Sequence, residues 1–201
     1  MPDPVLSISK VVVAFGALRA VDGVDLSVGP GERRAVIGPN GAGKTTLFHA
    51  ISGILPPHAG RIAFEGADIT RDPPHRRARR GIARTFQITN LFPTLSVEEN
   101  LAMAVRGLSP RKFSFFGRSQ LDGDEAPRVA HALEICRLAD RRNAIVKELS
   151  YGEQRQLELA LALAHAPRLL LLDEPAAGLS PAERSLVARS SARCRARSPW
   201  S

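Results

Sequence analysis

Nine residues, Gly38 to Thr46, read GPNGAGKTT and follow the apolar run Ala35-Val36-Ile37. Three glycines surround one lysine, so the stretch has little side chain to pack. Its exposed assets are backbone N–H groups and one ammonium. Such a loop, fed by a strand and feeding a helix, fits an anion held by main-chain donors. A fold carrying it needs a sheet to launch the loop and a helix to receive it, which points to an α/β core.

The 201 residues suit one domain, or one domain with a subdomain, and can bury a core without disulfide or metal staples. The formal charge is +8, and only Lys10, Lys44, Lys112 and Lys147 are lysines. That balance fits polyanion partners such as nucleotides, nucleic acid or an anionic membrane surface; an arginine-rich coding bias produces the same number. Cys136 and Cys194 lack ligand spacing and fit a reducing compartment. The start has no signal-peptide pattern, and the apolar runs are shorter than the ~20 residues of a membrane span.

Along the chain, residues 5–28 read as strands, Arg33–Ile37 as a buried strand, and Thr45–Leu55 as a helix closed by Pro56-Pro57. Arg61–Phe64 and Ile82–Phe86 read as strands, with a basic helical turn at Pro73–Arg80 between them. The cluster Arg76-Arg77-x-Arg79-Arg80 reads as a solvated helical face, with phospholipid or nucleic-acid contact as the other reading. Helices follow at Ser96–Arg106 and Glu125–Ala139, joined by a Gly/Pro/Ser-rich connection with Phe113, Phe115 and Phe116 as local anchors, partner binding being the other reading. Ser96 and Glu99 have capping-box spacing. Ser150 opens a helix running to about Ala164, and Leu169–Leu172 is a short apolar run, hence a buried parallel strand.

Gly38-x-x-x-x-Gly43-Lys44-Thr45 is the pattern of a phosphate-binding loop. Lys44 neutralises the outer phosphates, and the Thr45 hydroxyl can ligate Mg²⁺. A buried strand ending in Asp173 supplies a second magnesium ligand, and Glu174 stands where a carboxylate polarises an attacking water. Acids also end strands merely to cap loops; it is the combination with the glycine loop that gives these two their meaning. Gln87, after the strand 82–86, offers a neutral amide to sense the metal or the water. Ser150 is a helix cap, and with a small residue beside it at a helix N-terminus it also makes a second anion site.

Four strings, "GPNGAGKTT", "RTFQ", "LSYGEQ" and "LLLLDEP", stand in the order and spacing of the Walker A, Q-loop, signature and Walker B motifs of ABC transporter ATP-binding subunits, which the chain resembles from about Leu6 to Val187. The longer strings "GIARTFQITNLFPTLSVEENLAMA" and "LLLDEPAAGLSP" resemble the subgroup serving uptake of branched-chain or hydrophobic amino acids. The resemblance implies a P-loop NTPase core of mixed sheet and helices over residues 1–187, with a helical subdomain at about 88–165. It implies ATP and Mg²⁺ as cofactors. Phe15 would stack on adenine, with a strand-end core position as the other reading. Gly38, Asn40, Gly41, Ala42, Gly43, Lys44, Thr45 and Thr46 would hold the phosphates. Thr45, Gln87 and Asp173 would hold Mg²⁺, and Glu174 would act as general base. Two subunits would face head to tail, with Ser150, Gly152 and Gln154 of one closing on the γ-phosphate held by the other. Residues 88–125 would receive the transmembrane permease subunits at the cytoplasmic face of the membrane, and a periplasmic or extracellular substrate-binding protein would be an indirect partner.

The signature carries Tyr151 and Glu153 where the general family pattern has Gly and Gln, and Ser180 stands where many members have Asp. Past Walker B the family pattern adds a helix, a buried strand and a switch histidine. Here His49, His58, His75, His131 and His165 all precede Walker B, and residues 188–201 read as an Arg/Ser-rich tail. The expectation is a truncated or frame-shifted chain that folds marginally and hydrolyses ATP poorly by itself. Two other functions fit less well. One is a nucleotide-binding remnant with little activity; the other is a soluble ATPase on nucleic acid, which usually carries two cassettes or long coiled-coil inserts.

Overall fold

The computed structural model describes residues 3–85, 91–107, 125–164 and 166–173. The chain divides between Ala83 and Arg84 into two compact units.

The first unit is built on two long antiparallel strands, β1 (Leu6–Phe15) and β2 (Leu18–Val28). Leu6 and Ile8 face the core at even positions, Val11 and Val13 at odd ones. Strict alternation would put one of these pairs in solvent. The register shifts between Ile8 and Val11, where Lys10 has a φ of 50°. This bulge inserts one residue and changes the parity, so both pairs are buried. Lys10 is held there by Asp25, whose carboxylate accepts its backbone N–H at 2.9 Å and its ammonium at 2.6 Å. After β2 the chain enters helix α1 (Lys44–Ser52), then strands β3 (Ala59–Phe64) and β4 (Ala67–Asp68). The sheet order is β2-β1-β3-β4. Leu47, Ala50 and Ile51 of α1 are buried, as are Ile62, Phe64 and Ile69.

Two expectations about this unit are corrected. Helix α1 stops at Ser52, before the prolines, because Gly53 takes a left-handed φ of 81° and donates its N–H to Ala50 O. The strand expected at Arg33–Ile37 does not form: residues 32–39 have no regular structure, and Ile37 is 90% exposed. A β-rich run becomes a strand only with a ladder partner and a face to bury. Among the described residues no strand pairs with this run.

Helix α2 (Pro74–Arg79) precedes β5 (Ile82–Thr85), whose C-terminal half belongs to the second unit. There β5 and β6 (Leu169–Leu172) form a two-stranded sheet. Leu171 is buried, while its three neighbours in β6 are half-buried rather than fully inside as their sequence suggests. Helices α3 (Val97–Gly107), α4 (Glu125–Ile135) and α5 (Tyr151–Leu163) pack around a core that includes Leu101, Val129, Leu133, Leu138 and Leu157. α4 ends earlier than expected, since Arg137 turns to a φ of 56° and a 3₁₀ turn follows at Ala139–Arg141. Asn100 is 2% exposed and fully used. It accepts from Phe92 N–H at 2.8 Å and donates to Phe92 O and Ser96 O, tying the 91–96 turn to α3. Among the described residues, no helix is long and apolar enough to cross a membrane.

Candidate nucleotide-binding site

In the first unit, the glycine loop turns through Gly41 and Gly43, both with φ 82°. Gly43 is the N-cap of α1, and a Cβ there would stand 2.0 Å from Ala20 O of β2. No other residue fits that contact in that conformation. The helix therefore begins directly out of the glycine-rich loop. No side chain caps it, and its first turn carries no acid. Lys44 folds back over the loop, donating from Nζ to Gly38 O at 2.7 Å and Pro39 O at 2.8 Å. One ammonium, an uncapped helix start and a glycine-rich loop together make a cradle for phosphate. Asn40, Gly41 and Ala42 are exposed on its outer side, and Thr45 and Thr46 are half-buried in the first helical turn. Phe15 ends β1 with 53% of its surface exposed, so the core reading of this aromatic is not borne out.

In the second unit, Ser150 caps α5 in a complete capping box. Its Oγ accepts the N–H of Glu153 at 3.3 Å, and its own N–H donates to Glu153 Oε2 at 2.8 Å. The Ser150 hydroxyl also donates to that oxygen, and Arg141 donates to Oε1 at 2.8 Å. The Ser150 backbone, then its hydroxyl, then Arg141 hold the Glu153 carboxyl below its ordinary range. Gly152 is buried, and its neighbour Tyr151 is 60% exposed. Gln154 donates its amide to Leu149 O at 3.1 Å.

Asp173 follows β6 and is 6% exposed. Arg84 of β5 donates to its Oδ2 at 2.9 Å, and both side chains are nearly buried. Arg84 stands inside "RTFQ", and an arginine within a short strand is the sequence signal that marks it. Among the described residues, no three His, Cys, Asp or Glu side chains gather to make an all-protein metal site. A single carboxylate beside phosphate oxygens is a donor set Mg²⁺ commonly takes, and the chemistry of the Asp173 side chain fits it. Gln87 and Glu174 lie outside the described residues.

The glycine loop, Lys44 and the helix start define a phosphate-binding-loop protein. The ABC transporter family model matches residues 21–177. The chain is 40% identical over 200 residues to the high-affinity branched-chain amino acid transport ATP-binding protein BraF of Pseudomonas aeruginosa, covering 94% of this chain and 78% of that one. The solved ADP conformation of MJ1267, an ATP-binding cassette of an ABC transporter, superposes with a TM-score of 0.84 at 32% identity, covering 96% of this chain and 77% of that one. The dimeric post-hydrolysis state of the cassette MJ0796, bound to ADP and Pi, gives 0.74 at 25% identity, covering 92% and 80%. The chain belongs to the ABC transporter family and, with it, to the ATP-hydrolysing cassettes.

Proposed function

We propose that this chain is the ATP-hydrolysing subunit of a membrane importer for branched-chain or other amino acids. The observation that carries the reading is the cradle at residues 38–46: Lys44 and the uncapped start of α1 meet at the same glycine-rich loop. BraF, whose name gives branched-chain amino acid transport, supports the substrate class.

Residues 1–187 are the nucleotide-binding domain, with the helical subdomain at about 88–165 and a separate tail at 188–201. Gly38, Asn40, Gly41, Ala42, Gly43, Lys44, Thr45 and Thr46 bind the phosphates, and exposed Phe15 offers its ring to adenine. Thr45, Gln87 and Asp173 hold Mg²⁺, which supplies charge neutralisation at the phosphate oxygens. Glu174 takes the proton of the attacking water. Two subunits associate head to tail, so that Ser150, Gly152 and Gln154 of one meet the γ-phosphate bound by the other. Residues 88–125 face the permease subunits at the cytoplasmic side of the membrane, and the external substrate-binding protein is reached only through them. Binding favours the closed pair and phosphate loss releases it, a difference in affinity that drives a transporter between states.

Calorimetry of the folded chain with Mg-ATP tests this. We expect saturable uptake, weakened roughly tenfold or more in Lys44→Ala, since a charged hydrogen-bond donor is lost. Heat-silent, unsaturable titration of folded wild type overturns the reading.

A further inference from the structure

Arg84 and Asp173 are 89 positions apart in sequence and meet at the adjoining strands β5 and β6, with Nη2 2.9 Å from Oδ2. Their side chains are 6% and 7% exposed. At such burial a carboxylate without a counter-charge is strongly destabilising, so the pair is needed whatever else it does. Arginine is a fixed positive charge in a planar fork, well shaped to hold one carboxylate oxygen in place. The carboxylate so held is the one assigned above to the metal, and no cluster of three potential metal ligands among the described residues shares that role.

We propose that Arg84 is a positioning residue for Asp173: its guanidinium stands in for the divalent cation in the nucleotide-free protein and gives up part of its hold when Mg²⁺-nucleotide binds. This rests on Asp173 being a metal ligand. It predicts that the guanidinium both protects the metal-free protein and competes with the metal. A purely structural ion pair predicts only the first.

The test uses the full 201-residue chain as wild type, Arg84→Met, Arg84→Lys and Arg84→Met/Asp173→Asn. Melting is followed in EDTA. Mn²⁺ binding is followed by electron paramagnetic resonance with a non-hydrolysable ATP analogue. In EDTA, Arg84→Met melts below wild type, and adding Asp173→Asn recovers part of the loss because no lone charge remains. Arg84→Met binds Mn²⁺ about tenfold more tightly than wild type, as one competing charge is gone. Arg84→Lys, whose ammonium lacks the fork, binds it a few-fold more tightly; it carries the test if the methionine variant does not fold. Variants that match a metal-binding wild type in Mn²⁺ affinity, or fall below it, overturn the role of Arg84 and leave the site reading standing. A folded wild type that takes up no Mn²⁺-nucleotide overturns the site reading and this proposal with it.

Discussion

Within the string RRARR, four arginines alike on paper divide sharply in space. Arg77 is 1% exposed, a correction to the solvated face expected of the whole cluster. It donates to Ala50 O at 2.6 Å, Ile51 O at 2.8 Å, Thr70 O at 3.0 Å and Asp72 O at 2.8 Å. Two of these carbonyls end α1, so a cation sits where the helix's last acceptors and its negative dipole end lie. Gly53 makes the room, since a Cβ there would stand 2.8 Å from Arg77 Nε. Burial pushes the Arg77 guanidinium below its ordinary range, partly offset by the charge of Asp72. Arg77→Met should cost about 3 kcal/mol in denaturant unfolding, because it strands buried carbonyls. Arg76→Met and Arg79→Met, at exposed positions, should each stay within about 0.5 kcal/mol of wild type. Equal effects at the three sites would return the cluster to a solvated face.

Helices α3 and α5 begin in the same way, with Ser96–Glu99 and Ser150–Glu153 both closing capping boxes. These starts were legible because the partners are three residues apart and the chemistry is local. The glycine loop was legible for the same reason. What depends on distant partners was not: the parity change at Lys10, the missing ladder beside Ala35-Val36-Ile37, and the meeting of Arg84 with Asp173. The caps have a pH signature. The Ser96 backbone and hydroxyl hold Glu99 below its ordinary value of 4.5, and Arg142 does the same for Glu98. A carboxyl lowered in the folded state stabilises above its unfolded pKa, and that contribution is lost as pH falls through the folded value. Glu158 runs the other way: burial raises it, against the pull of Arg155. Its contribution is present below 4.5 and lost as pH rises through its folded value. Melting temperature should therefore fall as pH drops below about 4.5, and fall less steeply in Glu99→Gln, which keeps the cap without the charge. A slope unchanged by that substitution would show that the cap carboxylate contributes nothing to acid stability.

At the scale of the whole molecule, the proposed head-to-tail pair asks the start of α5 to accept a phosphate. That start already holds an anion of its own, since the Glu153 carboxylate takes the N–H and the hydroxyl of Ser150 and is steadied by Arg141. An incoming γ-phosphate must compete with this carboxylate for the same donors and is repelled by its charge. Glutamine at 153 keeps the cap, because a side-chain amide oxygen accepts the same backbone N–H, but it removes the charge. Arg141, released from its carboxylate partner, is then a cation near the phosphate. Glu153→Gln should therefore lower the ATP concentration needed for association by roughly fivefold, the scale of one screened unit charge at contact distance. Light scattering with ATP and Mg²⁺ in a Glu174→Gln background, where turnover is blocked, reads that concentration directly. Ser150→Ala removes the donor that the phosphate and Glu153 share, so it should raise the requirement and also cost α5 about 1 kcal/mol of capping. If Glu153→Gln associates at the same ATP concentration as its parent while Ser150→Ala fails, the serine acts as a phosphate donor with no competition from its own cap. If neither substitution moves an ATP-dependent association, the start of α5 is not where the second subunit meets the nucleotide.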